Sequence, residues 1–328
     1  MNELIFFFNT VLVSGTVLGS IYAIGAIGVT LIFGILRFAH FPHGDMMTAG
    51  AFVALVLVWL VPGAGAALGL PAAFVLLPVA MLITAAMAVG LDRVFYRPLR
   101  QAGAKPIVIV MASIGVMLML QGLIRLFAGT DTRQLDEVGA KDIYRIPLGG
   151  RDLVVTEPQL LLFATTIVAV VALHLFLTRS RTGKAMRAVS DNPDLARVSG
   201  ISIDHVVRTT WIISGALAAA AGTLLALDVT LKPDLSFNLI LPIFAAAIVG
   251  GIGQPYGAIA GGFVVGYAET LAVFNWSVLL RPLSGVLPFE LPGTLAVVPT
   301  EYKLTVAFVI LVVVLLVRPT GIFKGASS

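Results

Sequence analysis

Residues 9–61 read NTVLVSGTVLGSIYAIGAIGVTLIFGILRFAHFPHGDMMTAGAFVALVLVWLV, two long apolar runs separated by RFAHFPHGD. The first run, 9–36, exceeds the roughly 20 residues that a helix needs to cross the hydrocarbon core, and the second, 45–61, sits at the lower end of that range. Between them Pro42 disfavours helical geometry at Phe41. Pro42-His43-Gly44-Asp45 therefore reads as a break, with Asp45 as N-cap of the helix that follows. His40, His43 and Asp45 also invite a chemical reading, because their side chains bind metals and carry protons. On one helix His40 and His43 would share a face, but Pro42 lies between them and no nearby Cys, His or carboxylate completes a tetrahedral set. A proton relay would need further acids within the membrane, and these are scarce. A helix N-terminus at such a break does expose free N–H groups able to face a substrate carboxylate, so His43, Gly44 and Asp45 stand as candidates for lining a passage through the bundle.

The same alternation of apolar runs and short polar breaks continues along all 328 residues. The chain is 59% hydrophobic and only 12% charged, with a mean hydropathy of +1.02. A soluble domain carries about 25% charged residues, so the bilayer is this chain's main apolar solvent. A β-barrel would show short alternating segments, whereas these runs are continuous. The fold class is all-α, a polytopic transmembrane bundle. The net charge of +4 reflects basic cytoplasmic loops rather than affinity for nucleic acid. There is no cysteine, hence no disulfide framework and no thiolate chemistry. The start, MNELIFFFNTVLVSG, lacks a basic n-region and a small-residue cleavage site, and reads as the beginning of the first span.

Apolar windows fall at 9–36, 45–61, 68–92, 106–127, 158–178, 209–228, 238–252, 256–275 and 303–317, giving eight or nine spans in one transmembrane unit covering 1–328. The 238–252 window reaches only about 22 Å, short of the roughly 30 Å hydrocarbon core, and reads as a half-helix or re-entrant segment. Basic residues concentrate at 93–105, at 179–208 and in the tail at Arg318 and Lys324. All three regions lie inside if nine spans cross and the N-terminus is outside. The 128–157 connection then faces out as a small folded lid, its arginines and lysine offset by Asp131, Asp136, Glu137, Asp142 and Asp152. Small residues recur at helical spacing (Gly15 and Gly19, Ala218 and Gly222, Gly257 and Gly261, Gly262 and Gly266), which lets backbones approach closely inside one bundle. PHGDMMTAGAFV (42–53) and PYGAIAGGFVVG (255–266) weakly echo each other, a hint of an internal repeat.

Motifs for catalysis are missing. TGKAM at 182–186 lacks the first glycine and the hydroxyl residue of a P-loop, and neither H-E-x-x-H nor G-x-S-x-G occurs. No catalytic residue, metal site or cofactor is expected. Glu269 is the one carboxylate well inside a span, and ionisable groups at that depth face a cavity or a partner. Gln121 and Arg125 lie near the outer end of the fourth span, where Arg125 can snorkel to the interface. The connection RSRTGKAMRAVSDNPDLARVSGISIDHVVR (179–208) is too patterned for a casual loop. Asp191 or Asn192 followed by Pro193 marks a helix start, and Gly200 ends a short helix over 193–199 with Leu195 and Val198 on an apolar face. Such a helix suits a groove on a soluble partner.

Four blocks, GSIYAIGAIGVTLIFGILRFAHFPHGDMMTAGAFV (19–53), TGKAMRAVSDNPDLARVSGI (182–201), FAAAIVGGIGQPYGAIAGGFVVGYAE (244–269) and TEYKLTVAFVILVVVLLVRPTGIF (300–323), resemble the permeases of LIV-type branched-chain amino acid ABC importers. The last block is similar to the shorter of the two permease types these systems pair. The resemblance implies half of a membrane pore in a bacterial inner membrane, a second related permease, two ATP-binding cassette ATPases and a periplasmic or surface binding protein delivering leucine, isoleucine or valine. Asp194-Leu195-Ala196 and then Gly200 resemble the EAA-x-x-x-G coupling signature, with its leading Glu-Ala replaced by Asp-Leu. Arg187, Asp191, Asn192, Pro193, Asp194, Leu195, Ala196 and Gly200 would then seat in the ATPase. The translocation pathway would draw on His43, Gly44, Asp45 and Glu269. Two alternatives remain at this point: the same machine with urea or short amides as cargo, and an ion-coupled secondary transporter using Glu269 or Asp45.

Overall fold

A computed structural model describes residues 2–135, 142–147, 151–283, 292–318 and 320–323. Asp136, Glu137, Lys141 and Lys324, counted above in the charge pattern, lie outside the described residues. The helices, in chain order, are α1 (Asn2–Leu36), α2 (His43–Leu60), α3 (Leu77–Gln101), α4 (Pro106–Ala128), α5 (Glu157–Arg179), α6 (Arg181–Asp191), α7 (Pro193–Val198), α8 (Ile203–Asp228), α9 (Ile240–Gly250), α10 (Pro255–Val273) and α11 (Lys303–Val317). Eight of the described helices are long and apolar enough to cross a membrane, and α9 is too short. α1 and α3 each carry a π-helical stretch, Phe8–Val13 and Asp92–Tyr96.

Two expectations need correction, the bounds of the third span and the capping role of Asp45. The third span is not 68–92: residues 61–71 form turns, with Gly63 and Gly69 at positive φ, and the helix runs from Leu77 to Gln101. Hydropathy counts the Ala and Leu of this stretch as apolar, but its glycines and prolines deny it a helix. The helix extends past the apolar window because Arg100 closes a two-pronged pair onto Asp92, at 2.7 and 3.1 Å, which removes both charges from the apolar surroundings. The 128–157 connection contains a two-stranded antiparallel sheet, β1 (Ile143–Pro147) with β2 (Asp152–Thr156), so the helical bundle carries one small hairpin. Asp45 is not an N-cap. The helix starts two residues earlier, at His43, and Asp45 sits in its first turn, where a carboxylate favours the positive end of the helix dipole.

α1 and α8 form the buried centre, because their glycine, alanine and serine stripes let other helices close on them. On α10, Gly262 packs against the backbone of Ala23 and Gly266 against that of Gly19. On α8, Gly222 packs against the Met47 backbone of α2, while Gly50 of α2 meets the Ala219 backbone. Every small-residue pair singled out in the sequence works inside the bundle.

The break fixes the rest of the architecture. α1 ends at Arg37, which adopts a left-handed φ of 58°. The chain then turns back into the bundle, where the Phe41 N–H donates to Ser113 Oγ at 2.9 Å. His43 comes to rest against Gly28, about 12 Å up α1 from its end at Leu36. α2 thus begins level with the middle of α1. α9 begins at the same level, since Gly44 abuts Ser236 and Ile240, and the Ser236 N–H donates to Thr48 Oγ at 3.2 Å. It ends beside Gly34, where Gly253 touches the lower part of α1. The 238–252 window is therefore a half-helix, about 16 Å long, spanning one half of the bundle.

Candidate functional site

Residues 180–200 form a compact platform. Ser180 caps α6 by accepting from the Gly183 N–H at 2.8 Å, and Asn192 caps α7 by accepting from the Leu195 N–H at 3.0 Å. Of the two capping candidates read from the sequence, Asn192 does the capping. Gly200 ends the turn at φ +83°, a conformation open to glycine at no steric cost. Only Ala196 of the coupling candidates faces inward. Arg187, Asp191, Asn192, Pro193, Asp194, Leu195 and Gly200 are exposed together on one segment. Leu195 and Val198 are 64% and 87% exposed, two apolar side chains presented outward beside charged neighbours.

This platform is tied to the break. Arg37 Nη2 donates to the Ser190 carbonyl near the end of α6, and Gly34 lies against both Ser190 and Gly253. Arg37 and Gly34 together therefore join the platform, the lower end of α1 and the 251–254 turn after α9. Sequence reasoning passed over Arg37. The signal available was a bulky residue directly after a long apolar run, at a helix C-terminus where a glycine is usual.

The pathway candidates separate. His43 lies in the interior with His40, whose ring centroid is 6.3 Å away, and His40 in turn packs against Phe38, Tyr96 and Trp211. No third metal-ligating side chain joins the two histidines among the described residues. Gly44 is spent on close packing against the Ser236 carbonyl. Asp45, 2% exposed, is buried in the first turn of α2.

Glu269 sits elsewhere, completely buried on α10. Its Oε2 accepts from the Tyr22 hydroxyl of α1 at 2.8 Å and lies 3.9 Å from Lys303 Nζ at the start of α11. Three helices meet at this carboxylate. Glu269→Ala leaves the Tyr22 hydroxyl without its acceptor and Lys303 without its counter-ion, a loss on the order of 3 kcal/mol. The variant should melt well below wild type in detergent, while Glu269→Gln, which still accepts from Tyr22, should lie between. An unchanged melting temperature with abolished transport would assign Glu269 to the pathway instead.

Comparison with known proteins bears on this geometry. Residues 11–315 match the family described as branched-chain amino acid transport system / permease component. The chain belongs to that family. The high-affinity branched-chain amino acid transport system permease LivH of Salmonella typhimurium is 30% identical over 98% of this chain and 97% of its own length. BraD of Pseudomonas aeruginosa, named for the same transport system, is 30% identical over 95% and 94%. A probable branched-chain amino acid permease of Methanocaldococcus jannaschii is 31% identical over 76% of each chain. No solved structure matches. With eight membrane-length helices and this family, the chain is a multi-pass inner-membrane permease component.

Proposed function

We propose that the chain is the membrane-spanning subunit of an ATP-driven importer for leucine, isoleucine and valine. It forms half of the translocation pathway beside a second, related permease. Two ATP-binding cassette subunits bind the cytoplasmic face, one of them on the 180–200 platform, and a binding protein delivers cargo at the opposite face. The observation that carries this reading is the outward-facing Leu195 and Val198 on a capped helix, in a chain whose relatives are named for branched-chain amino acid transport.

The route of coupling follows from the contacts. ATPase closure displaces α6 and α7. Arg37, bonded to the Ser190 carbonyl, carries that displacement to the end of α1 and the break after it. Gly253 against Gly34 carries it to the inner end of α9. Both half-way helix starts, at His43 and Ile240, are thereby linked to the platform. The chain itself performs no chemistry; it binds, opens and closes.

Reconstitution of the complete assembly in proteoliposomes tests this. Leucine uptake should require ATP inside the vesicles and the ATPase subunits on the membrane. Uptake by the permease alone, driven by an ion gradient, would overturn the proposal.

A further inference from the structure

A pocket of about 500 Å³ opens beside the platform, between the ends of α1 and α3 and the start of α8. Leu36 of α1, Ile201 just before α8 and the buried Val207 of α8 give it an apolar lining. Arg97 and Arg100 of α3 and Arg197 of α7 add a basic one. A notch continuous with this pocket runs into the seam between α3 and α8. It shares Arg97, Arg100 and Val207 and adds Arg93 and Arg208. Five arginines thus converge around two aspartates, and both aspartates are already engaged. Asp92 holds Arg100, and Asp204 lies 3.6 Å from Arg97. Arg93, Arg197 and Arg208 close no ion pair among the described residues, which leaves a surplus of three positive charges in one place.

Depth in the membrane decides which anion they suit. Arg208 immediately precedes the apolar stretch 209–228, and Arg93 lies where the apolar part of α3 gives way to charge. Beside them the surface turns apolar and outward-facing. Val94 is 66% exposed, and Ile212, one turn beyond Arg208, is 42% exposed. The notch therefore stands at the border between hydrocarbon and water, on the side wall of the bundle. A phospholipid puts its phosphate at this depth and its acyl chains along the apolar wall, and basic pockets between membrane helices suit such head groups. The planar fork of arginine matches phosphate oxygens with paired hydrogen bonds. The surplus charge selects a head of net negative charge, because the ammonium of a zwitterionic head would meet the same arginines. An ATPase seated on the platform approaches from the water side and leaves this wall to lipid.

We propose that this pocket and its notch bind an anionic phospholipid of the leaflet on the platform side, with the phosphate between Arg93 and Arg208 and the head group reaching toward Arg197. The acyl chains then lie over the seam of α3 and α8, against Val94 and Ile212. Because Arg197 belongs to α7, a bound head group ties the platform to the ends of α3 and α8. This tie is separate from the one that Arg37 makes to α1.

Native mass spectrometry of the full chain in detergent tests this, with phosphatidylglycerol, phosphatidylcholine and water-soluble glycerol 3-phosphate titrated separately. Binding is read without ATP or cargo, so its failure is distinct from a failure of the importer reading. Wild type should hold phosphatidylglycerol at least tenfold more tightly than phosphatidylcholine. Each arginine near an anionic head contributes about fivefold in affinity. Arg93→Gln combined with Arg208→Gln should therefore weaken phosphatidylglycerol roughly 25-fold and leave phosphatidylcholine unmoved. Arg197→Gln alone should weaken it about fivefold. Arg181→Gln, on the platform but outside the pocket, should bind as wild type does. Equal affinity for the two lipids, or an equal loss in Arg181→Gln, overturns the site. Glycerol 3-phosphate bound as tightly as phosphatidylglycerol would make it a site for soluble phosphates and overturn it too. Unchanged lipid affinity in the double variant, with the ATPase subunits lost from the assembly, would give these arginines to the partner and overturn it likewise.

Discussion

Deletion of residues 193–199 from the assembled importer should reduce ATP-driven uptake to background while the subunit remains in the membrane and folded. The segment is α7 with its last cap, and it adds little to the packing of the bundle, since only Ala196 within it is buried. Its exposed Leu195 and Val198 lose contact with water only when a partner covers them. Burial of each contributes about 1.5–3 kcal/mol, so the two together account for roughly 10² to 10⁴ in affinity. Leu195→Asp with Val198→Asp should reproduce the defect without shortening the chain. Gly200→Val provides a third arm, because a β-branched residue at φ +83° is strained and would swing the end of α7 away. In all three, ATP hydrolysis by the partner subunits should no longer be tied to uptake. Normal uptake in the double aspartate variant would remove α7 from the coupling interface.

The bundle was legible in the sequence wherever one local property decides the structure. Long apolar runs of Leu, Val, Ile and Ala mark α4, α5 and α11 to within a residue or two, because lipid selects for length and hydropathy. Asn192-Pro193 and Gly200 mark α7, because capping and left-handed termination are chemistry of adjacent residues. Reading failed where apolar composition and helix propensity diverge, as at 68–71, and where a helix began at proline without a side-chain cap, as at His43. The contacts that give the site its character were out of reach. Tyr22 meets Glu269 across 247 residues and Arg37 meets Ser190 across 153. Nothing in the spacing of His43, Gly44, Asp45 and Glu269 reveals that packing sends them to separate places.

Gly222→Val should remove most of the folded protein. α2 and α8 cross and touch at two successive layers, Met47 with Gly222 and Gly50 with Ala219. At Gly222 the neighbour is the Met47 carbonyl and its backbone, which cannot rotate aside as a side chain would. A valine brings a Cβ and two methyls into that space, and the helices must separate. Overpacking of this kind costs about 3 kcal/mol or more, a large part of the stability of a folded chain. The damage extends to function, because α2 also holds Thr48 against the Ser236 N–H at the start of the half-helix. Gly115→Ala on α4 is the matched control. Nothing lies within 4 Å of a side chain added there, and alanine in a helix interior is favoured over glycine by roughly 0.5–1 kcal/mol. The expected order of melting temperature in detergent is Gly115→Ala at or above wild type, with Gly222→Val far below both and poorly recovered from the membrane. A Gly222→Val protein that melts with wild type would mean that α2 and α8 do not approach this closely, and the midway start of α2 would lose its main support.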